Sequence, residues 1–218
     1  PVESYLSKQA YLKNTNILQT EFECKDGSVF SIIDFCPRFL QHSRAYRPAS
    51  LFRIITPVKG NSKIRVSCNP VHGWSKKPAK PIQANSHIRY EFDSGTLRLC
   101  TSMPLTYLLE EKNFILQEPI YLALLWDAPL EADLQQVAND FLERPQRYWQ
   151  LWVKHCSIPT LFQEETIRSA LTIKLHCYED TGAIIAATTT SLPEKLGGER
   201  NWDYRFCWLR DSFFTLNA

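Results

Sequence analysis

The sequence has almost no net charge, no paired-cysteine motif, no long apolar run and no internal repeat. Its 25 basic and 23 acidic residues leave a charge of +2, so nothing drives it electrostatically toward nucleic acid or an anionic membrane, and neither is expected as a partner. The one basic cluster, Lys76-Lys77-Pro78-Ala79-Lys80, is interrupted by proline and reads as a solvated loop. Seven cysteines (Cys24, Cys36, Cys68, Cys100, Cys156, Cys177 and Cys207) contain no C-x-x-C pair, which excludes zinc-ribbon and thioredoxin-type chemistry. An odd, scattered set on a globular chain points to free, mostly buried thiols and a reducing, cytoplasmic compartment. Because the chain opens on Pro1 rather than Met, that compartment is read from the thiols alone. No stretch approaches the ~20 apolar residues that cross a bilayer. His42, His72, His87, His155 and His176 share no ligand spacing, so neither a metal nor another cofactor is expected.

What remains is ordinary globular composition, 44% hydrophobic and 22% charged, with length for one large domain or two small ones. Residues 1–130 carry short runs of strand character: 16–24, 28–35, 51–58, 63–68, 87–92, 96–101 and 115–126. Lys25-Asp26-Gly27 between the first two is a hairpin signal, and Asn69-Pro70 and Asp93-Ser94-Gly95 are turn formers. This spacing predicts an antiparallel β-sandwich. From 131 to 160 the pattern becomes helical, with Leu134, Val137, Ala138 and Phe141 on one stripe and a break expected at Pro145. A further helix is expected over 163–178, with Ile167, Ala170, Leu171 and Leu175 on its face. Ser212 onward starts another helix inside which the chain stops, so residues 161–218 read as the truncated start of a new domain.

The segment Gly182–Asp211 differs from the rest. Small residues, Ala183-Ile184-Ile185-Ala186-Ala187-Thr188-Thr189-Thr190, lead through Ser191-Leu192-Pro193-Glu194 and Gly197-Gly198. Then come Glu199-Arg200-Asn201-Trp202-Asp203-Tyr204-Arg205-Phe206-Cys207-Trp208-Leu209-Arg210-Asp211. Aromatic faces stack on the C–H faces of sugar rings, and Asp, Asn and Arg bind vicinal hydroxyls, so this mixture suits a neutral polyol. A half-buried strand would also place aromatics at every second position, and the charged residues would also serve as ordinary ion pairs. The residues alone leave both readings open. Cys207 has no histidine near it in sequence and reads as structural.

The run from Gly182 to Asp211 resembles the signature of glycoside hydrolase family 15, which holds glucoamylases, glucodextranases and bacterial trehalases. Similarity to bacterial members extends to Thr20–Arg38 and to Arg168-Ser169-Ala170-Leu171-Thr172-Ile173-Lys174. The resemblance implies an amino-terminal β-sandwich, a helical linker and the first part of an (α/α)6 barrel, in a protein that releases glucose from α-glucosides with inversion. It also implies that Tyr204, Trp208, Arg210 and Asp211 line the subsite of the released glucose, the aromatics as walls and the charged pair on the outer hydroxyls. Inversion needs a general acid and a general base about 6.5–9.5 Å apart. In the family both are glutamates farther along the chain, and neither Glu194 nor Glu199 matches them. No catalytic residue is therefore expected within these residues, and the chain alone is expected to be inactive. The other reading is a non-catalytic sugar-binding or regulatory protein of the same fold; a third is a stand-alone β module that needs a partner. Oligomeric state and the choice among maltose, starch fragments, dextran and trehalose are not legible in these residues.

Overall fold

A computed structural model describes residues 1–2, 4–73, 75–190 and 194–217; Ser191-Leu192-Pro193 of the sequence motif and the terminal Ala218 lie outside them. Two compact units are present, Pro1–Tyr148 and Trp149–Ala218.

The first unit contains strands β1 (Tyr5–Tyr11), β2 (Leu18–Cys24), β3 (Val29–Phe35), β4 (Phe39–Gln41), β5 (Arg44–Tyr46) and β6 (Ser50–Lys59). Strands β7 (Lys63–Ile64), β8 (Ile82–Gln83), β9 (His87–Phe92) and β10 (Gly95–Thr101) follow. Helix α1 (Leu105–Leu109), strands β11 (Phe114–Ile115) and β12 (Ile120–Trp126), and the start of helix α2 (Leu134–Val153) complete it. Eight strands form one antiparallel sheet in the order β1-β2-β3-β6-β12-β10-β9-β8, while β4-β5 and β7-β11 are small separate pairs. An antiparallel β domain is thus observed, its long strands gathered in a single sheet.

Local chemistry explains the turns. Gly27 takes φ 78° and donates its N–H to the Cys24 carbonyl at 2.9 Å. The Asp26 carboxylate accepts from the Ser28 N–H at 2.9 Å and its hydroxyl at 2.6 Å, closing the β2–β3 hairpin where the sequence places it. Strand β12 is apolar at nearly every position because both faces of the sheet are covered. Ile120 and Leu122 join Phe30, Ile88, Tyr90 and Leu99 on one side. Tyr121, Ala123 and Leu125 join Ile17, Phe35 and Phe52 on the other, against Val137, Ala138 and Phe141 of α2. Phe52 is fully buried; its ring stacks on Phe35 at 5.6 Å and meets the Phe141 ring edge-on at 5.5 Å.

Several expected boundaries move. Helix α2 runs through Pro145 without a break. A helical proline forfeits one backbone hydrogen bond and costs about 3 kcal/mol, which burial of the Val137–Ala138–Phe141 stripe offsets; Pro145 is itself fully buried. The single strand expected over 115–126 is interrupted at Pro119, which lacks the N–H a ladder needs. The strand expected over 63–68 keeps only Lys63–Ile64. All seven thiols are free, but only Cys24 and Cys100 are buried, while Cys36 and Cys207 are exposed.

The second unit holds the end of α2, helix α3 (Gln163–Leu175), strands β13 (Cys177–Tyr178) and β14 (Ala183–Ile184), and helix α4 (Leu209–Asn217). Helix α3 has Glu164 and Glu165 in its first turn and Lys174 in its last, the arrangement that complements the helix dipole. It stops three residues earlier than its periodicity suggests, because Cys177–Tyr178 pairs with Ala183–Ile184 instead. No helix among the described residues is long and apolar enough to cross a membrane.

Candidate functional site: the Trp202–Asp211 segment

The β13–β14 hairpin begins the construction. Gly182, at φ 72°, donates to the Tyr178 carbonyl at 2.8 Å, and Ile185 donates to the His176 carbonyl at 3.1 Å. The chain then leaves through Thr188–Thr190 and returns to lie beside itself: Ala186 N–H donates to Phe206 O at 3.1 Å and Ala187 N–H to Tyr204 O at 2.8 Å. Ile185 and Cys207 form a single antiparallel bridge.

Asp203 organises the returning segment. Its carboxylate accepts the Arg205 backbone N–H at 2.9 Å, an Asx turn, and takes the Arg205 guanidinium side-on, Nε to Oδ1 at 3.0 Å and Nη2 to Oδ2 at 2.8 Å. These hydrogen bonds hold the Asp203 carboxyl below the ordinary carboxylate range and raise Arg205. The Asp203 carbonyl accepts the Trp208 indole N–H at 3.0 Å. Trp208 is therefore anchored at one end while its ring meets Tyr204 at 5.7 Å and 49°, and the edge of Trp202 at 6.1 Å and 87°. Alternation of aromatics along 202–208 arises from this turn and not from a strand.

Helix α4 follows at once. Ser212 N–H donates to the Trp208 backbone carbonyl at 2.9 Å, which starts the helix at the residue whose indole Asp203 holds. Arg210 Nη2 lies 3.1 Å from Asp211 Oδ2. The structure thus joins Tyr204 to Trp208 as a ring pair and Arg210 to Asp211 as an ion pair. Among the described residues no hydrogen bond connects the two pairs. Arg210 is largely exposed and Asp211 half-buried. Upstream, Glu194 and Arg200 form a solvent-facing ion pair at 3.6 Å.

Three residues outside the four that the resemblance assigns to the subsite also shape the segment. Trp202 completes the aromatic cluster, and Asp203 anchors it, its signal being the Asp-x-Arg spacing of an Asx turn. Cys207 is the third. It is exposed, its thiol approaches the Ser212 hydroxyl at 3.4 Å, and that contact, with a backbone hydrogen bond to Ile184, lowers its pKa from the ordinary thiol value. No group of three or more His, Cys, Asp or Glu side chains among the described residues is arranged to hold a metal ion.

This segment falls inside the residues, 162–218, that match the family model of glycosyl hydrolases family 15. Over nearly the whole chain there is similarity to trehalases. The trehalase of Mycolicibacterium smegmatis is 32% identical over 202 residues, covering 92% of this chain and 27% of that protein. For the trehalase of Thermoplasma volcanium the figures are 29% over 218 residues, 96% and 34%. For that of Mycobacterium tuberculosis they are 32% over 179 residues, 76% and 26%. No solved structure matches the chain. The fold is a β-rich domain followed in the chain by a second, smaller unit, and it is the second that carries the family match. The chain belongs to glycosyl hydrolase family 15, as an amino-terminal portion of a member. It spans 27% and 34% of the length of the first two relatives, about a third or less.

Proposed function

We propose that the chain is part of an inverting glycoside hydrolase that releases glucose from α-glucosides, with trehalose the leading substrate. The observation that carries this reading is the anchored Trp208, held by Asp203 and flanked by Trp202 and Tyr204, inside the residues matched by the family model. Each of the three relatives described above is a trehalase. In this reading Tyr204 and Trp208 form the wall of the subsite for the released glucose. Arg210 donates to its outer hydroxyls and Asp211 accepts from them, exchanging part of their mutual ion pair for sugar contacts. Such contacts orient the ring and do not break the bond. Cleavage is the work of two carboxyl groups, in this reading the glutamates of an (α/α)6 barrel that continues beyond residues 161–218. The 218-residue chain alone has no turnover. The test is glucose release from trehalose and from maltose by the whole protein isolated from its source, beside the 218-residue chain. Turnover by the isolated chain overturns the assignment of the catalytic groups, and release from neither sugar by the whole protein overturns the activity.

A further inference from the structure

The far end of the large sheet carries an unexplained cationic face. In the β9–β10 register Arg89 stands directly opposite Arg98, and His87 opposite Cys100. Strand alternation puts these four on one face, with Ile88, Tyr90 and Leu99 buried on the other. Like charges opposed across a ladder destabilise a sheet, and both arginines are half-buried. Arg89 Nε and Arg98 Nη1 are buried with no hydrogen-bond acceptor, a costly condition for charged donors. Among the described residues no carboxylate lies within 4.0 Å of either guanidinium. Glu91 on the same face, and Glu131 and Asp133 ahead of α2, are all exposed; Asp133 is engaged in capping the Gln136 N–H at 2.9 Å.

A cavity of about 290 Å³ opens on this face. Arg98, His87, Ser86 and Thr101 supply its polar lining, Leu130 and Leu134 part of its apolar lining, and no carboxylate lines it. Burial first, then the nearby charges of Arg98 and Arg89, pull the His87 pKa below its ordinary value, the response of an imidazole in a positive field with no counter-charge. A cavity cationic at one side and apolar at the other suits a ligand with an anionic head and a short hydrocarbon body. We propose that this cavity binds a small organic carboxylate, its head on Arg98, His87 and the Ser86 hydroxyl, and its chain against Leu130 and Leu134. Arg89 adds charge from the neighbouring strand. The site lies in the first unit and is independent of the sugar-binding reading.

The test is calorimetric titration of the purified protein with acetate, pentanoate, pentanamide and inorganic phosphate at matched ionic strength, with the His87 ring followed by NMR. Saturable 1:1 binding of pentanoate is expected, tighter than acetate by up to about fourfold per added methylene, and absent for pentanamide. Bound carboxylate raises the His87 pKa. Arg98→Met weakens pentanoate at least tenfold; without ligand it stays folded, because it removes a like-charge pair. His87→Gln, which leaves both arginines in place, also weakens binding and guards against a folding defect in the first variant. Lys77→Gln, on the remote basic loop, binds as the unaltered protein does. The proposal is overturned by absence of saturable binding, by affinity in Arg98→Met and His87→Gln equal to that of the unaltered protein, or by phosphate binding more tightly than pentanoate, which would make the site one for an inorganic ion.

Discussion

Replacing Trp208 separates the two ways in which its side chain is held. Trp208→Phe keeps a ring beside Tyr204 but deletes the indole N–H that donates to the Asp203 carbonyl at 3.0 Å. One neutral hydrogen bond contributes about 0.5–1.5 kcal/mol. Trp208→Ala also removes the ring contacts with Tyr204 at 5.7 Å and Trp202 at 6.1 Å, each about 0.5–1.5 kcal/mol. If the sugar subsite uses the order of this segment, these losses appear in the transition state for glucose release. At about 1.4 kcal/mol per tenfold, kcat/KM of the whole protein on trehalose falls roughly two- to tenfold for Trp208→Phe. It falls roughly tenfold to a thousandfold for Trp208→Ala. Leu196→Ala, at an 89% exposed position in the same segment, is the control and stays within about twofold, as surface substitutions do. Steady-state glucose release gives the rates, and circular dichroism establishes that each variant is folded. Rates for folded Trp208→Ala within twofold of the unaltered protein would refute the reasoning, because the indole would then order a loop that the substrate never uses.

Phe52→Ala removes a fully buried ring stacked between Phe35 and Phe141 and is expected to cost about 3–5 kcal/mol in urea unfolding. Phe213→Ala, 62% exposed, changes the same measurement by less than about 0.5 kcal/mol. Cys207 is expected to alkylate at a pH below that of an ordinary thiol, and Ser212→Ala to raise its apparent pKa, since the Ser212 hydroxyl is the largest cause of the lowering; the rate of iodoacetamide modification against pH reads both. Asp203 has a folded pKa below its unfolded value, so its favourable interaction with Arg205 is fully present above the unfolded carboxylate pKa and is lost as pH falls through the lowered one. Arg205→Gln moves the Asp203 titration upward, measured by carboxyl carbon NMR, and an unmoved titration would remove Arg205 as the cause.

What was legible in the sequence was local. The β2–β3 hairpin follows from Asp26-Gly27, and the core stripe of α2 from the spacing of Leu134, Val137, Ala138 and Phe141, because each depends only on near neighbours. Strand β1 was not legible, since all seven of its residues are exposed and no alternation marks it. Continuation of α2 through Pro145 was not legible because tertiary packing overrides a local penalty there. Trp208 and Tyr204 were legible as a pair from the motif, but their support by Asp203 needs a turn geometry that period-two aromatics disguise as a strand.

The Arg89–Arg98 pair lies between these cases. Strand β9 ends at Phe92 and β10 begins at Gly95, so the connecting loop is Asp93-Ser94, and a two-residue loop sets the whole register. Gly95, at φ 147°, starts the second strand where a side chain would collide with the Asp127 carboxylate, whose Oδ1 accepts the Thr96 N–H at 2.7 Å. Once that turn is assigned, Arg89 must oppose Arg98, and a like-charge pair follows from sequence arithmetic alone. Whether a carboxylate from a distant segment neutralises it is a tertiary question. Here the segment that comes alongside is Pro129–Leu134, and the positions of it that line the cavity, Pro129, Leu130, Ala132 and Leu134, are all uncharged. A charge pair imposed by local register and left uncompensated by tertiary contacts is the condition under which an external anion becomes the missing partner.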